Sequence, residues 1–314
     1  MAEGLDHIAW LHHGSPPTRW GNLGLWRAGS KPQYAQACRA LALAVGEAAA
    51  IGRGDAVLSL ACGGGEELAL WAEHFGAASV MALELAPSLA AQARQRAEAV
   101  HSGCPIDVYC ADARHLARQV AGRFDRIVCV DAIYHFGERA PLHRAARALL
   151  KPGGRYAYTD LVLEGDGTLS WRRGALMLGA AAAGIAMREV QSEAAATQKL
   201  RDAGFDDVRV KRLDDVVLGR FCAFVRWQSR RLPWAARLSA AWRRVAATAW
   251  LIRTGRAAGL GYALYCGHVN AEADGESADA QGRPDDVDLA AEIARATASA
   301  ERTALSSKGM PGSA

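Results

Sequence analysis

The chain has 314 residues, of which 51% are hydrophobic and 22% charged, so it can bury a large core and most of it should fold. Its net charge of +4 is unevenly divided: residues 271–314 hold nine acids and four bases, and residues 1–270 therefore carry +9. No apolar run reaches membrane-spanning length, and the nearest, about 14 residues from Gly174 to Met187, is expected to be a buried or interfacial helix. The seven cysteines are scattered, without a C-x-x-C pair or zinc-ligand spacing, so reduced buried thiols of a cytoplasmic protein are expected, and no metal site. Met1 to His13 has an acidic start and no apolar core, so no secretory signal is expected.

In chain order, Ala56–Leu60 reads as a strand that runs into the small-residue turn Ala61-Cys62-Gly63-Gly64-Gly65, and Glu66–Phe75 as a helix. Ser79–Leu85 is a second strand, followed by a helix from Ser88 to about His101; Ile106–Ala111 and Phe124–Val130 are the third and fourth strands. Pro141–Leu150 is a helix closed by Lys151-Pro152-Gly153-Gly154, before a fifth strand, Arg155–Leu161. The alternation predicts a doubly wound, Rossmann-like α/β sheet of about seven strands, with ligands held beyond the strands' carboxyl ends. A helical insert follows at Ser170–Leu200, then a strand at Asp207–Leu213, a long helical stretch from Gly219 to Arg256 and a last strand, Gly261–Cys266. The acidic segment 271–314 is rich in Ala, Gly and Ser and is expected to be largely disordered.

The glycine turn lets a ligand approach the backbone, and the helix after it directs free N–H groups there. Alone it marks a general nucleotide or cofactor cradle. Glu84 follows Gly65 by about 19 residues at the tip of the second strand, where an acid can accept bonds from ribose hydroxyls. Asp112, after the third strand, suits an adenine amino group or the cap of the next helix. Asp131-Ala132-Ile133-Tyr134-His135-Phe136, after the fourth strand, gathers polar and aromatic groups where chemistry should occur.

These motifs together resemble the class I S-adenosylmethionine-dependent methyltransferases: Val57–Gly65 for the glycine motif, Glu84 for the ribose acid, Asp112 for the adenine contact, Phe124–Val128 leading into the fourth-strand motif, and Leu149–Gly154 for the turn before the fifth strand. NAD is the competing cofactor for the glycine turn, but the A-x-G-x-G spacing and the Pro-Gly-Gly turn suit it less well. The lead segment Asn22-Leu23-Gly24-Leu25-Trp26 is similar to that of the small-molecule branch, where it folds over the sulfonium end. The resemblance implies S-adenosylmethionine as cofactor, S-adenosylhomocysteine as product, and cofactor contacts from Trp26, Ser59, Ala61, Cys62, Gly63, Gly65, Glu84, Leu85, Asp112, Ala113 and Asp131. The expected division is an N-terminal helical lid at 1–50, a cofactor-binding core at 51–165, a helical cap with the final core strands at 166–270, and the acidic, disordered tail at 271–314. The chain departs from the family's D-x-G-x-G-x-G at Ser59 and Ala61. A hydroxyl at Ser59 lacks the charge that would receive the cofactor's amino group, and Glu66 and Glu67 are the nearby carboxylates that can substitute.

Methyl transfer requires the acceptor in line with the methyl carbon at about 3–3.5 Å. His135 is the expected base for a hydroxyl or carbon acid, with Tyr134 orienting the acceptor; alternatively both rings pack the cofactor's edge. His12 and His13 are further options for the base. From Val216 to Ala271 there is no acid, while nine arginines and four tryptophans occur in 220–256. On one helix Trp234, Leu238, Ala241, Val245, Ala249 and Ile252 would form a single stripe. That stripe suits a plain cap on the sheet, peripheral contact with an anionic membrane, or binding of an anionic substrate. Nucleic acid is not expected. The expected substrate is a small hydrophobic or amphiphilic metabolite. Methylation, a non-methylating cyclisation with bound cofactor, and a non-catalytic membrane-associated role are the three functions this sequence accommodates.

Overall fold

Side-chain alternation along the strands builds a two-faced sheet with a helical layer on each side. The computed structural model describes residues 18–27, 33–164, 171–182, 184–185 and 187–271. The strands are β1 (Ala56–Leu60), β2 (Ser79–Glu84), β3 (Ile106–Cys110), β4 (Phe124–Cys129), β5 (Leu150–Leu163), β6 (Asp207–Arg212) and β7 (Leu260–His268), in the spatial order β3-β2-β1-β4-β5-β7-β6. All neighbouring pairs from β3 to β5 are parallel, and β7 runs antiparallel between β5 and β6. This is the expected Rossmann-like α/β class. The strand order reverses between β1 and β4, which places a crevice at their carboxyl ends.

Val57, Val128, Ala157 and Tyr262 face one layer, and Leu58, Ile127, Tyr158 and Ala263 the other, each set wholly buried. The first layer holds α1 (Tyr34–Ala49), whose buried side contains Ala37, Cys38, Leu41, Ala42 and Val45. The described helices after it are α2 (Pro87–Glu98), α3 (Leu116–Gln119), α4 (Arg139–Leu149), α5 (Trp171–Ala182), α6 (Glu193–Asp202), α7 (Arg220–Arg231), α8 (Trp234–Leu238) and α9 (Ala240–Arg256). A stacked layer of Tyr156, Tyr158 and His143 fills the space between β5 and α4.

Three local expectations change. The stretch after the glycine turn is not a regular helix: it becomes a wide π-helical turn, Leu70–His74, in which the amides of both Leu70 and Trp71 bond to the Glu67 carbonyl. β5 begins at Leu150 rather than Arg155, because Gly153 takes φ 77° and donates to Val269, which extends the strand through the Pro-Gly-Gly turn.

The expected long helix from Gly219 to Arg256 is three helices. Pro233 holds Leu232 in an extended conformation (ψ 141°) and ends α7. The Ser239 hydroxyl then donates to the Ala236 carbonyl and accepts from the Trp242 amide, closing α8 and capping α9. The apolar stripe is divided accordingly. Val245, Ala249 and Ile252 are buried beside Trp242, whereas Trp234 and Leu238 are 71% and 66% exposed. The expected lid histidines His12 and His13 and the acidic segment beyond Ala271 lie outside the described residues.

Candidate functional site

At the end of β1 the chain turns through Ala61 (φ 55°), Gly63 (φ 58°) and Gly65 (φ 79°). The left-handed conformation is costless for glycine and strained for alanine, so Ala61 carries strain at the position where the resembling family has its first glycine. A Cβ on Gly65 would lie 2.8 Å from Ala93 Cα, so this glycine lets α2 press against the turn. A Cβ on Gly63 would meet nothing within 4 Å, so the peptide there faces open space. The buried Cys62 amide bonds to the Leu83 carbonyl, and its thiol, pushed up by burial, is not a nucleophile.

Glu84 joins two loops. Its Oε2 accepts the Gly63 amide and its Oε1 the Ala86 amide, both at 2.9 Å. Each oxygen retains acceptor capacity for a hydroxyl. Leu85 follows it with 55% of its surface exposed. At the end of β3, Asp112 caps the short helix Ala113–His115 by accepting the Arg114 amide, and it also holds the Arg114 guanidinium at 2.6–2.9 Å. Those bonds draw its pKa below the usual carboxylate range. The structure thus brings out the capping role, and an adenine amino group has to share Asp112 with the exposed Arg114 side chain. Ala113 is buried in the layer around Leu116.

Beneath the turn, Ser59 is wholly buried; its hydroxyl donates to Glu67 Oε1 at 2.6 Å and accepts from Trp71 Nε1 at 3.3 Å. A carboxylate therefore does stand at the position that lacks the family's acid, supplied by the segment after the turn. Among the described residues Glu67 has no cationic partner, and burial pushes its carboxyl up to about 7. Glu66, the other expected substitute, is already occupied: Oε1 accepts the Arg19 amide at 2.5 Å and pairs with Arg96 at 2.8 Å.

At the end of β4, Asp131 (φ 56°) lies at the centre of a network that sequence reading did not foresee. Its Oδ2 accepts the Leu23 amide at 2.6 Å, and its Oδ1 accepts the Tyr134 hydroxyl at 3.0 Å and the Tyr262 hydroxyl at 2.5 Å. Thr159 Oγ1 accepts the Asp131 amide, and its hydroxyl donates to the Tyr262 oxygen, both at 2.8 Å. Burial raises the Asp131 carboxyl to about 6 despite these donors. Tyr262 and Thr159 could have been found only from the antiparallel placement of β7 beside β5, which residue spacing does not encode.

Asp131 thus ties the lead segment 22–26 to the sheet. Asn22, itself buried, reinforces it by donating to the Cys38 carbonyl and accepting the Gly24 amide. Trp26 is buried: its Nε1 donates to the Leu23 carbonyl and its ring packs 4.7 Å from Phe224. The Tyr134 hydroxyl is engaged by Asp131, while its ring lies 4.5 Å from His135. The exposed His135 has Nδ1 3.4 Å from the Gly184 carbonyl of the cap, and partial desolvation lowers its pKa. Next to this loop a buried Arg139–Asp160 pair, 2.7 Å apart, fixes the start of α4 to β5.

Comparison with known proteins agrees with this geometry. Residues 57–154 match a family model described as a methyltransferase domain. Erythromycin 3''-O-methyltransferase of Saccharopolyspora erythraea is 29% identical over 215 residues, 66% of this chain and 68% of that protein. The Ubiquinone biosynthesis O-methyltransferase of Xanthomonas axonopodis pv. citri is 34% identical over 34% of this chain and 44% of its own length. These matches support a class I S-adenosylmethionine-dependent methyltransferase, with its methyltransferase domain at residues 57–154. The fold is shared with the cyclopropane synthase MmaA2 from Mycobacterium tuberculosis (TM-score 0.70, 16% identity, 84% of this chain and 94% of that one). It is also shared with the [4+2]-cyclase SpnF (TM-score 0.62, 19% identity, 84% and 93%).

The methyltransferase's cofactor is S-adenosylmethionine, and three features of its crevice fit that molecule. Open space at Gly63 admits it to the backbone. Glu84 has acceptor capacity left for hydroxyls, and Glu67 is a buried carboxylate without a cation among the described residues. No group of three or more His, Cys, Asp or Glu among the described residues is placed to hold a metal ion.

Proposed function

We propose that this methyltransferase methylates a hydroxyl of a small hydrophobic or amphiphilic metabolite of natural-product, isoprenoid or lipid-like character. The observation that carries the reading is the placement of the Asp131–His135 loop between the donor crevice and a cap of apolar helices, with the ring of His135 against Gly184 of that cap. The names of the two relatives, O-methyltransferases of erythromycin and of ubiquinone biosynthesis, support a hydroxyl acceptor. Glu84 is assigned to the ribose hydroxyls, the Gly63 peptide and Leu85 to the adenosine side, and Glu67 to the methionine ammonium.

The cofactor, when bound, supplies an activated methyl group whose carbon–sulfur bond breaks as the carbon–oxygen bond forms. The chain's own task is to hold the acceptor oxygen in line, exclude water and take up the hydroxyl proton. His135 is the assigned base, since its lowered pKa keeps the imidazole neutral at ordinary pH. Tyr134 acts through Asp131: its hydroxyl is engaged there, so it positions the loop instead of touching the acceptor.

Among the described residues no helix is long and apolar enough to cross a membrane. The proposal places the enzyme in the cytoplasm, with peripheral contact to an anionic membrane through residues 220–256. The test is incubation with S-adenosylmethionine and a panel of amphiphilic alcohols and phenols, with mass-spectrometric counting of S-adenosylhomocysteine and product. Equal amounts of both are expected. Cofactor binding with a changed acceptor and no S-adenosylhomocysteine would instead favour a cyclase, and absence of cofactor binding a non-catalytic protein.

A further inference from the structure

Helix α7 has a groove on each side, and both are lined by arginine and aromatic residues with no acid among the described residues. The first, 440 Å³, is lined by Trp26, Leu43, Phe224, Arg27, Arg39 and Arg220 among others. The second, 520 Å³, lies between α7 and α9 and is lined by Trp227, Trp250, Arg226, Arg230 and Arg253. Trp227 belongs to both grooves, and Arg231 lies 4.7 Å over its ring. Among the described residues none of Arg220, Arg226, Arg230 and Arg253 pairs with a carboxylate; Arg256, at the end of the second groove, pairs with Asp215. Trp250 is half-exposed, and α8 adds the exposed Trp234 and Leu238 directly after α7.

We infer that these two grooves are phosphate-binding subsites for the headgroups of an anionic phospholipid bilayer, with α7 lying along the membrane surface between them. This rests on the reading of an amphiphilic acceptor and peripheral membrane contact, and assigns that contact its residues. The charge is complementary: unpaired guanidiniums match phosphate oxygens in paired, charge-assisted bonds. The tryptophans match the level between headgroup and acyl chain, where an apolar ring with one polar N–H is favoured. A plain cap would need neither feature, since Trp234 and Leu238 bury little against the fold and Trp250 leaves half its surface outside. The first groove is joined to the site through the lead segment, since Trp26 lines the groove and the Leu23 amide is held by Asp131. An acceptor dissolved in the bilayer would thus reach the enzyme beside its lid.

The experiment is sedimentation of the full chain with vesicles of phosphatidylcholine alone and of phosphatidylcholine mixed with phosphatidylglycerol, at about 0.05 M and about 0.5 M NaCl. Binding to the anionic vesicles at low salt, release at high salt and no binding to the neutral ones are expected. Arg226→Glu with Arg253→Glu, and separately Arg39→Glu with Arg220→Glu, should each lower the partition coefficient by about tenfold or more. Trp250→Ala should lower it by a smaller factor that persists at high salt. Circular dichroism and the affinity for S-adenosylhomocysteine should stay at the parent value in all variants, which separates this inference from the methyltransfer reading. Failure to sediment at low salt, or undiminished sedimentation of both charge reversals, would overturn it. So would equal competition by duplex DNA at matched phosphate, which would mark a general polyanion surface.

Discussion

Replacing Glu67 with glutamine tests whether the family's missing acid has been relocated. Burial moves the Glu67 carboxyl from 4.5 to about 7, which corresponds to about 3 kcal/mol of lost preference for the charged form. The bond from Ser59 at 2.6 Å offsets part of the burial, and no cation among the described residues offsets the rest. An ammonium placed against the carboxylate recovers that energy, so cofactor affinity should rise with pH until about 7 and then level off. The rise should approach tenfold per pH unit on the acid side, with a proton released on binding. Glu67→Gln keeps the size and an acceptor for Ser59 but removes the charge. A lost charge-assisted bond of about 1.5–3 kcal/mol predicts roughly 10- to 100-fold weaker binding on the alkaline side, and a flat pH profile.

Titration calorimetry with S-adenosylhomocysteine, in buffers of different ionisation enthalpy, reads the affinity and the proton count together. Glu66→Gln is the control, because Glu66 is held by Arg19 and Arg96 and should leave the pH profile unchanged. An unaltered affinity and slope in Glu67→Gln, or a loss confined to Glu66→Gln, would refute the reasoning. The same burial gives a sign for the cofactor-free protein. Glu67's folded pKa is raised, so its contribution to stability is complete below about pH 4.5 and is lost as pH rises through about 7.

Ala61→Gly should raise the unfolding free energy by up to about 1 kcal/mol, measured by urea denaturation, because it removes left-handed strain while adding some chain entropy to the unfolded state. The raised Asp131 carboxyl contributes stability that is present below about pH 4 and lost as pH rises through about 6, by about 3 kcal/mol in all. Asp131→Asn should flatten that part of the stability–pH curve. Arg139→Met should cost about 3–5 kcal/mol by leaving Asp160 buried and uncompensated, and joining it to Asp160→Leu should recover most of the loss. His135→Ala should lower turnover by about 10²–10⁴-fold, and most where the imidazole is neutral, with cofactor affinity unchanged; near-full turnover across the pH range would remove His135 from the mechanism.

The parallel half of the fold was legible because each of its signals is local. An apolar strand, a glycine turn and an acid at a strand tip are read within a few residues, and these placed β1, β2 and Glu84 correctly. The divided helix after Gly219 was missed for a related reason: hydrophobic period continues through Pro233 and Ser239, while the chain does not. Proline's restriction on Leu232 and the Ser239 cap outweigh the stripe, and two apolar side chains are turned outward in consequence. Tyr262 and Thr159 were missed because β7 enters the sheet from the far end of the chain and reverses direction. Their convergence on Asp131 depends on register, which no spacing along the sequence reports.

The relocated acid shows how a motif can be broken in sequence while the charge it supplied remains in space. With an acid at position 59, the carboxylate would rise from a rigid strand and need no help from the turn. With Ser59 there, the hydroxyl becomes a bridge: it accepts Trp71 Nε1 and donates to Glu67. For Glu67 to reach it, the segment after the turn has to swing inward, and the wide π-helical turn at Leu70–His74, with two amides on the Glu67 carbonyl, accommodates that. The departure at Ser59, the irregular helix and the buried unpaired carboxylate are then one arrangement. It places an ionisable group with a pKa of about 7 under the cofactor crevice. Restoring the family's residue by Ser59→Asp should therefore set two carboxylates against each other, raise the pKa of one further and weaken cofactor binding, unless Glu67→Gln accompanies it. Recovery of affinity only in the double variant is the expected result, and tight binding by Ser59→Asp alone would show that Glu67 plays no part.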